Sequence, residues 1–280
     1  MSISGKAKLA GVTGWPVAHS LSPRLHGHWL TAHGIDGAYV PLAIRREDFA
    51  RAIDALARAG FAGVNVTVPH KEAAFALAHG LDDAARAAGA VNLLLFRDGR
   101  IEGRNTDALG LAASLSEELG KNALAGKDVA ILGAGGAARA AALALAGLGA
   151  KNIRILARNP ARAETLARAV KAPVTVSPWT AQSLSGMALV VNATSAGLRG
   201  QNALDLSLEA LPVTAVVCDL VYNPLETDLL QRAKAAGHRT VDGLGMLMHQ
   251  AVPAFAAFYG ETPSVTPALR AELKKALTRG

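Results

Sequence analysis

The 280-residue sequence has a single cysteine, Cys218. One thiol excludes a disulfide framework and any cluster of cysteine zinc ligands, and it suits a reducing cytoplasm. Cys218 lies in the run Ala215–Leu220 and reads as a small buried hydrophobe. Aromatic residues make up only 4% of the chain although 51% of it is hydrophobic, so alanine and leucine must carry much of the burial. No apolar run approaches the ~18 residues a membrane span needs, and no long apolar segment opens the sequence, so neither a membrane partner nor a secretory route is expected. Lysine and arginine exceed aspartate and glutamate by 29 to 22, giving a net charge of +7. These cations are scattered, with no basic run and no interleaved aromatics, which argues against nucleic acid and leaves anionic small molecules as the partners a basic surface suits. His19, His26 and His70 do not have metal-ligand spacing, so no metal is expected. The length accommodates two domains with real cores.

What the sequence does have is a glycine turn around which the rest is organised. The apolar run Val129–Leu132 ends in Gly133-Ala134-Gly135-Gly136-Ala137-Ala138. A small-residue helical stretch and a second apolar strand, Ile153–Leu156, follow. Strand, tight turn, helix and strand make the phosphate-binding unit of a dinucleotide fold. Gly133 allows the sharp turn, and Gly135 lets backbone N–H groups approach a pyrophosphate at the helix N-terminus. Ala138 takes the third small position, where helix and strand pack closely. An NAD-binding unit would carry Asp or Glu at the end of the second strand for the ribose 2′-hydroxyl. That acid is missing here, and Arg158 stands in its place. Asn159 and Pro160 read as the N-cap and first residue of a helix, putting Arg162 in its positive first turn, a poor place for a cation unless an anion lies beside it. The pair points to a 2′-phosphate, hence NADP(H); the alternative is two solvated surface arginines.

Read in order, the chain predicts strands at Lys8–Trp15, Ala38–Ile44, Gly63–Val68 and Ala90–Phe96, with a hairpin turn at 97–100 into Ile101–Arg104. Helices are predicted from Ser22 to about His33, at Arg46–Ala59, His70–Ala78 and Asp82–Ala88, and at 106–119 as a bridge between domains. Strands at 128–132, 152–156, 173–176, 187–192, 214–220 and 238–241 alternate with helices, which implies a parallel, doubly wound sheet. Met246–Phe258 and Ala268–Leu277 are helical. The fold class is therefore α/β with two domains: residues 1–106 with 244–280, and a Rossmann-type domain at 107–243, the C-terminal helices returning to the first.

Bound nicotinamide would supply a hydride, so the protein must move a proton and orient a substrate. The dinucleotide half has no Tyr-x-x-x-Lys pair, since Tyr222 is followed four residues later by Glu226. Candidates therefore lie mostly before residue 110. Lys71 opens a helix beside Pro69, where the positive helix end and partial burial would lower its pKa toward general acid–base work. Asp107 opens the bridging helix, and a Lys71–Asp107 pair could relay a proton to a substrate oxygen. Alone, Lys71 reads equally as a surface lysine and Asp107 as a helix-capping carboxylate. Ser20 and Ser22 offer hydroxyls for a substrate carboxylate, with Ser22 also expected as a helix N-cap.

Several segments together resemble the shikimate dehydrogenase family along nearly the whole chain. They are Gly14-Trp-Pro-Val-Ala-His-Ser20-Leu-Ser22-Pro, Asn65-Val-Thr67-Val-Pro-His-Lys71, Gly89-Ala-Val-Asn92 and Gly103-Arg-Asn105-Thr106-Asp107. After the glycine turn come Asn192-Ala-Thr194-Ser195-Ala-Gly197, Asp219-Leu-Val-Tyr222-Asn-Pro-Leu-Glu-Thr227 and Asp242-Gly243-Leu-Gly-Met246-Leu-x-x-Gln250. The resemblance implies reversible NADPH-dependent reduction of 3-dehydroshikimate to shikimate, in the route to chorismate and aromatic amino acids. It implies Lys71 and Asp107 as the catalytic pair. Ser20 and Ser22 would hold the carboxylate, and Asn65, Thr67, Asn92, Asp107 and Gln250 the ring hydroxyls, with Tyr222 also at the substrate. Gly133, Ala134, Gly135, Gly136, Ala137, Arg158, Asn159, Arg162, Thr194, Leu220 and Gly243 would surround the cofactor, with Asp83 a further cofactor-side candidate. The family's usual Asn-Arg-Thr after the second cofactor strand is Ala157-Arg158-Asn159 here, keeping the arginine and losing the amide before it. Leu93 replaces the usual threonine after Asn92. A relative acting on quinate with NAD, or a non-catalytic NADPH-binding module, are the alternative readings. A monomer or homodimer is expected.

Overall fold

Short apolar runs build two separate six-stranded sheets, and the chain divides into two compact units, residues 1–106 with 248–280 and residues 107–247. The structure, a computed structural model, describes residues 3–279.

In the first unit, β1 (Lys8–Gly14), β2 (Gly37–Ala43) and β3 (Gly63–Val66) are parallel, with β1 central to the three. β4 (Gly80–Leu81), β5 (Leu93–Arg97) and β6 (Arg100–Arg104) complete the order β2-β1-β3-β5-β6-β4, with β5 antiparallel to both neighbours. The intervening helices are α1 (Ser22–Ala32), α2 (Phe49–Arg58), α3 (Lys71–Leu77) and α4 (Asp83–Ala88). Phe49, Ile53, Val64, Val66, Val91 and Leu94 form a core on one side. An aromatic cluster occupies another part of this unit: His26 and Trp29 of α1, Tyr39 of β2, and Phe255 and Phe258 of α9 (Leu244–Tyr259). The C-terminal helices are held to this unit by specific bonds: Tyr259 Oη donates to the Ala38 carbonyl at 3.0 Å. Trp29 Nε1 donates to the Ser264 carbonyl at 3.1 Å, just before α10 (Pro267–Arg279).

The second unit begins with α5 (Asp107–Leu119). It then alternates β7 (Asp128–Leu132), α6 (Gly136–Gly147), β8 (Asn152–Leu156), α7 (Pro160–Ala169), β9 (Val174–Ser177), β10 (Leu189–Asn192), β11 (Val216–Asp219), α8 (Asp228–Ala235) and β12 (Arg239–Val241). All pairings are parallel, in the order β12-β11-β10-β7-β8-β9. The strands are apolar on both faces because each face is covered. Val129, Ile131, Leu189, Val191 and Cys218 join one core, while Ala130, Leu132, Val190 and Val217 join the other. Strand order reverses between β7 and β10, and such a switch point opens a crevice at the carboxyl ends of the strands.

Three sequence expectations change. The 46–59 helix opens as a 3-10 turn at Arg46–Asp48 before α2. β3 stops at Val66, because Pro69 has no N–H for the ladder and His70 N turns back to the Thr67 carbonyl at 2.9 Å. Ser22 is not the N-cap of α1: Leu21 already has helical dihedrals and holds that position without a side-chain bond. Ser22 is instead the first helical residue, and its N–H donates to Ser20 Oγ at 3.3 Å. Cys218 is buried, and desolvation pushes its thiol pKa up, the state of an inert core thiol. No helix among the described residues is long and apolar enough to cross a membrane, and no metal-holding group of His, Cys, Asp or Glu occurs among them.

Candidate active site

The first unit gathers a run of polar side chains at the ends of its central strands. Asn65, on β3, is buried among apolar neighbours and so must find partners. Its Oδ1 accepts from Tyr39 Oη at 2.7 Å, and its Nδ2 donates to the Asn92 carbonyl at 3.2 Å. Burial, reinforced by the nearby Tyr259, pushes the Tyr39 hydroxyl pKa well above its ordinary value, so it stays a neutral donor. Asn92, just before β5, donates from Nδ2 to Thr106 Oγ1 at 2.9 Å and to Gln250 Oε1 at 3.1 Å. Its Oδ1 accepts the Thr106 N–H at 2.9 Å. Thr106 Oγ1 in turn donates to the Gln250 carbonyl at 2.9 Å, tying α9 to the end of β6. Tyr39, Asn65, Asn92, Thr106 and Gln250 thus belong to one hydrogen-bonded network, while Ser22 is bonded through its N–H to Ser20 Oγ.

The surrounding backbone holds Thr67 and Lys71 of this unit, and Asp107 opens the second unit. Thr67 continues β3's ladder by one bond, its N–H donating to the Thr13 carbonyl at 2.9 Å. Lys71 is the first residue of α3 and half-buried, and its carbonyl accepts the Val91 N–H at 3.0 Å, next to Asn92. Asp107 directly follows Thr106 as the buried first residue of α5. His70 is structural: its ring stacks on Phe49 at 4.6 Å, and Nε2 donates to the Ile44 carbonyl at 2.8 Å.

The second unit presents a dinucleotide cradle. Gly133 has φ +113°, and an added Cβ would sit 3.0 Å from Thr194 Cγ2, so glycine is required there. Gly135 is the N-cap of the 12-residue α6 without a side-chain bond, while Gly135, Gly136 and Ala137 are exposed. Open space surrounds Gly135 and Gly136 where a Cβ would project, leaving backbone N–H groups accessible at a helix N-terminus. Arg158 follows β8 and lines a cavity of about 540 Å³ with Trp179, Thr194, Ser195 and Gln201. Asn159 caps α7, its Oδ1 accepting the Arg162 N–H at 3.1 Å. Arg158 and Arg162 are both exposed, and neither side chain makes an ion pair among the described residues. Two free cations, open amides and a cavity of nucleotide dimensions fit a phosphorylated dinucleotide. Gly243 lies against the segment after β11, where a Cβ would collide with the Leu220 carbonyl.

Comparison with known sequences and structures decides the family. Residues 12–94 match the family described as the shikimate dehydrogenase substrate binding domain, and residues 114–199 match shikimate / quinate 5-dehydrogenase. The chain is 56% identical over 272 residues to a shikimate dehydrogenase (NADP(+)) of Paramagnetospirillum magneticum, covering 96% of this chain and 99% of the relative. It belongs to the shikimate dehydrogenase family.

Solved members of the family share the whole fold. A shikimate dehydrogenase from Aquifex aeolicus superposes with a TM-score of 0.89 at 32% identity, covering 100% of both chains. A shikimate 5-dehydrogenase from Thermus thermophilus, solved in complex with NADP(H) and shikimate, gives 0.86 at 37% identity over 96% of this chain and 99% of that one. Tyr39 escaped the sequence reading, because a lone tyrosine in a strand looks like core. Its signal would have been the buried polar Asn65 that needs a donor. Asp219 also escaped as a site candidate, inside an otherwise apolar strand. Asp83 opens α4, fully exposed, 3.4 Å from Arg86, while Asp82 caps that helix. These are the surroundings of a solvated helix-start carboxylate.

Proposed function

We propose that the chain catalyses the reversible NADPH-dependent reduction of 3-dehydroshikimate to shikimate. The observation that carries this reading is the polar network Tyr39–Asn65–Asn92–Thr106–Gln250, with the Lys71 carbonyl bonded to the Val91 N–H next to Asn92 and Asp107 directly after Thr106, in a member of this family. When bound, NADPH supplies the hydride to the C3 carbonyl carbon. Lys71 and Asp107 handle the proton that the C3 oxygen must gain, and give it up again in the reverse direction. Ser20 and Ser22 hold the substrate carboxylate, and Asn65, Thr67, Asn92 and Gln250 take its ring hydroxyls, with Tyr222 also at the substrate. Side chains locked to one another in this way are pre-set for a polyhydroxylated ring, so little ordering is left for the moment of binding. The Gly133–Ala137 turn receives the pyrophosphate, and Arg158 with Arg162 the 2′-phosphate. Thr194, Leu220 and Gly243 complete the cofactor side. A single buried cysteine suits a reducing cytoplasm.

Quinate has a saturated ring with a hydroxyl at C1, beside the carboxylate, where shikimate has a double bond, and that hydroxyl would crowd the two serines. Steady-state rates with shikimate and quinate, each with NADP and NAD, test the assignment. The highest kcat/KM is expected for shikimate with NADP. A higher value for quinate with NAD overturns it.

A further inference from the structure

At the carboxyl ends of β10 and β11, Asn192 and Asp219 lie opposite each other in register, and both are fully buried. A buried carboxylate persists only when it is well bonded. Asp219 Oδ1 accepts from Asn192 Nδ2 at 2.9 Å and from the Val221 N–H at 3.0 Å, and Oδ2 accepts from Thr227 Oγ1 at 2.7 Å. Burial pushes its pKa up to about 6 against these three donors, so the carboxylate is ionised at neutral pH.

Each partner leads to a different cofactor-side segment. Asn192 Oδ1 accepts from Thr194 Oγ1 at 2.7 Å and from its N–H at 3.1 Å, which fixes the turn after β10. Val221 and Thr227 stand at the two ends of the loop after β11, the loop that carries Tyr222. Thr227 is fully buried and is also the N-cap of α8. A single carboxylate therefore closes one loop at both ends and, through Asn192, orients the other.

We infer that Asp219 is a positioning residue that locks the Thr194 turn and the Leu220–Thr227 loop into one fixed relation, so that both meet the bound dinucleotide together. It touches neither substrate nor cofactor and acts through Asn192, Val221 and Thr227. This rests on the proposed function only in taking Thr194 and Leu220 as cofactor contacts.

The test compares Asp219→Asn, Thr227→Val and Thr227→Ser in the full chain. NADP binding is read by calorimetry, turnover by kcat and KM with shikimate, and folding by thermal melts. Asn turns a donor toward the Thr227 hydroxyl, and Val removes that hydroxyl, whereas Ser keeps it. Asp219→Asn and Thr227→Val should each weaken NADP binding about tenfold or more, the scale of a lost hydrogen bond to a charged group, and Thr227→Ser should stay within about twofold of wild type. Should Asp219→Asn fail to fold, the Val and Ser pair decides. Wild-type NADP affinity in folded Asp219→Asn or Thr227→Val overturns the inference, even with a lowered melting temperature. Equal losses in the Ser and Val variants also overturn it. A wild-type protein that binds NADP but does not oxidise shikimate would overturn the proposed function, and the binding comparison would still judge Asp219.

Discussion

Arg158 has no carboxylate partner among the described residues and faces a cavity shared with Thr194 and Ser195. A guanidinium left open at the end of the second dinucleotide strand has an obvious counter-ion in a 2′-phosphate, with which it can form two parallel charge-assisted bonds. Arg158→Asp replaces that attraction with repulsion and restores the acid that favours a free ribose hydroxyl. It should raise the Kd for NADP by roughly a hundredfold, the scale of losing a charge-assisted pair, while changing that for NAD little. Fluorescence titration with both cofactors measures this, and equal weakening of the two would make the arginine structural. At this scale the sequence was most readable where an unusual residue type stood in a recognisable place, as Arg158 does after the glycine turn. It was least readable where a residue's partner came from a distant strand. Tyr39 bonds Asn65 across 26 positions, and Asp219 bonds Asn192 across 27, and no spacing announces either.

Among the elements, α1 and β2 meet through His26 and Tyr39, whose rings stack 3.8 Å apart at 6°. His26 is fully buried with neither ring nitrogen hydrogen-bonded, and desolvation drives its pKa from the ordinary 6.5 to about 3. Between those values the unfolded chain takes up a proton that the folded chain refuses, so this contribution is complete above 6.5 and shrinks as pH falls toward 3. Lowering the pH from about 7.5 to about 5 should cost roughly 2 kcal/mol at this residue. Asp219 acts in the opposite sense. Its raised pKa lets the folded chain keep a proton between 3.8 and about 6, which returns part of the loss on the way down. His26→Phe keeps the stacking surface and cannot charge, so denaturant midpoints at the two pH values should show it gaining about 2 kcal/mol on wild type at the acid one. A variant that tracks wild type at both would remove His26 from the acid response. The elements themselves were largely legible. β7 is a continuous apolar run from Val129 to Leu132 because both faces of that sheet are covered, β8 keeps Ile153, Ile155 and Leu156 buried around Arg154, and the Asn159-Pro160 cap marks α7. β4 was not legible, since two residues at a sheet edge carry no period. The start of α1 misled because serine before proline reads as a cap, although Leu21 had already entered the helix.

For the molecule as a whole, the proposed reading assigns the dinucleotide to the second unit and the proton and substrate hydroxyls to residues numbered before 108, with Gln250. That division makes binding and turnover separable. The order of the motifs along the chain was legible, because each is a short contiguous string. The network that joins Asn65, Asn92, Thr106 and Gln250 was not, since it forms only when β3, β5, β6 and α9 come together. Lys71→Ala is the most direct measurement, with kcat for shikimate oxidation and the Kd for NADP determined on the same preparation. The expected result is a fall in kcat of about 10²-fold or more, the contribution of a positioned acid–base group, with the Kd unchanged. A Lys71→Ala enzyme that turns over shikimate at the wild-type rate would contradict the account.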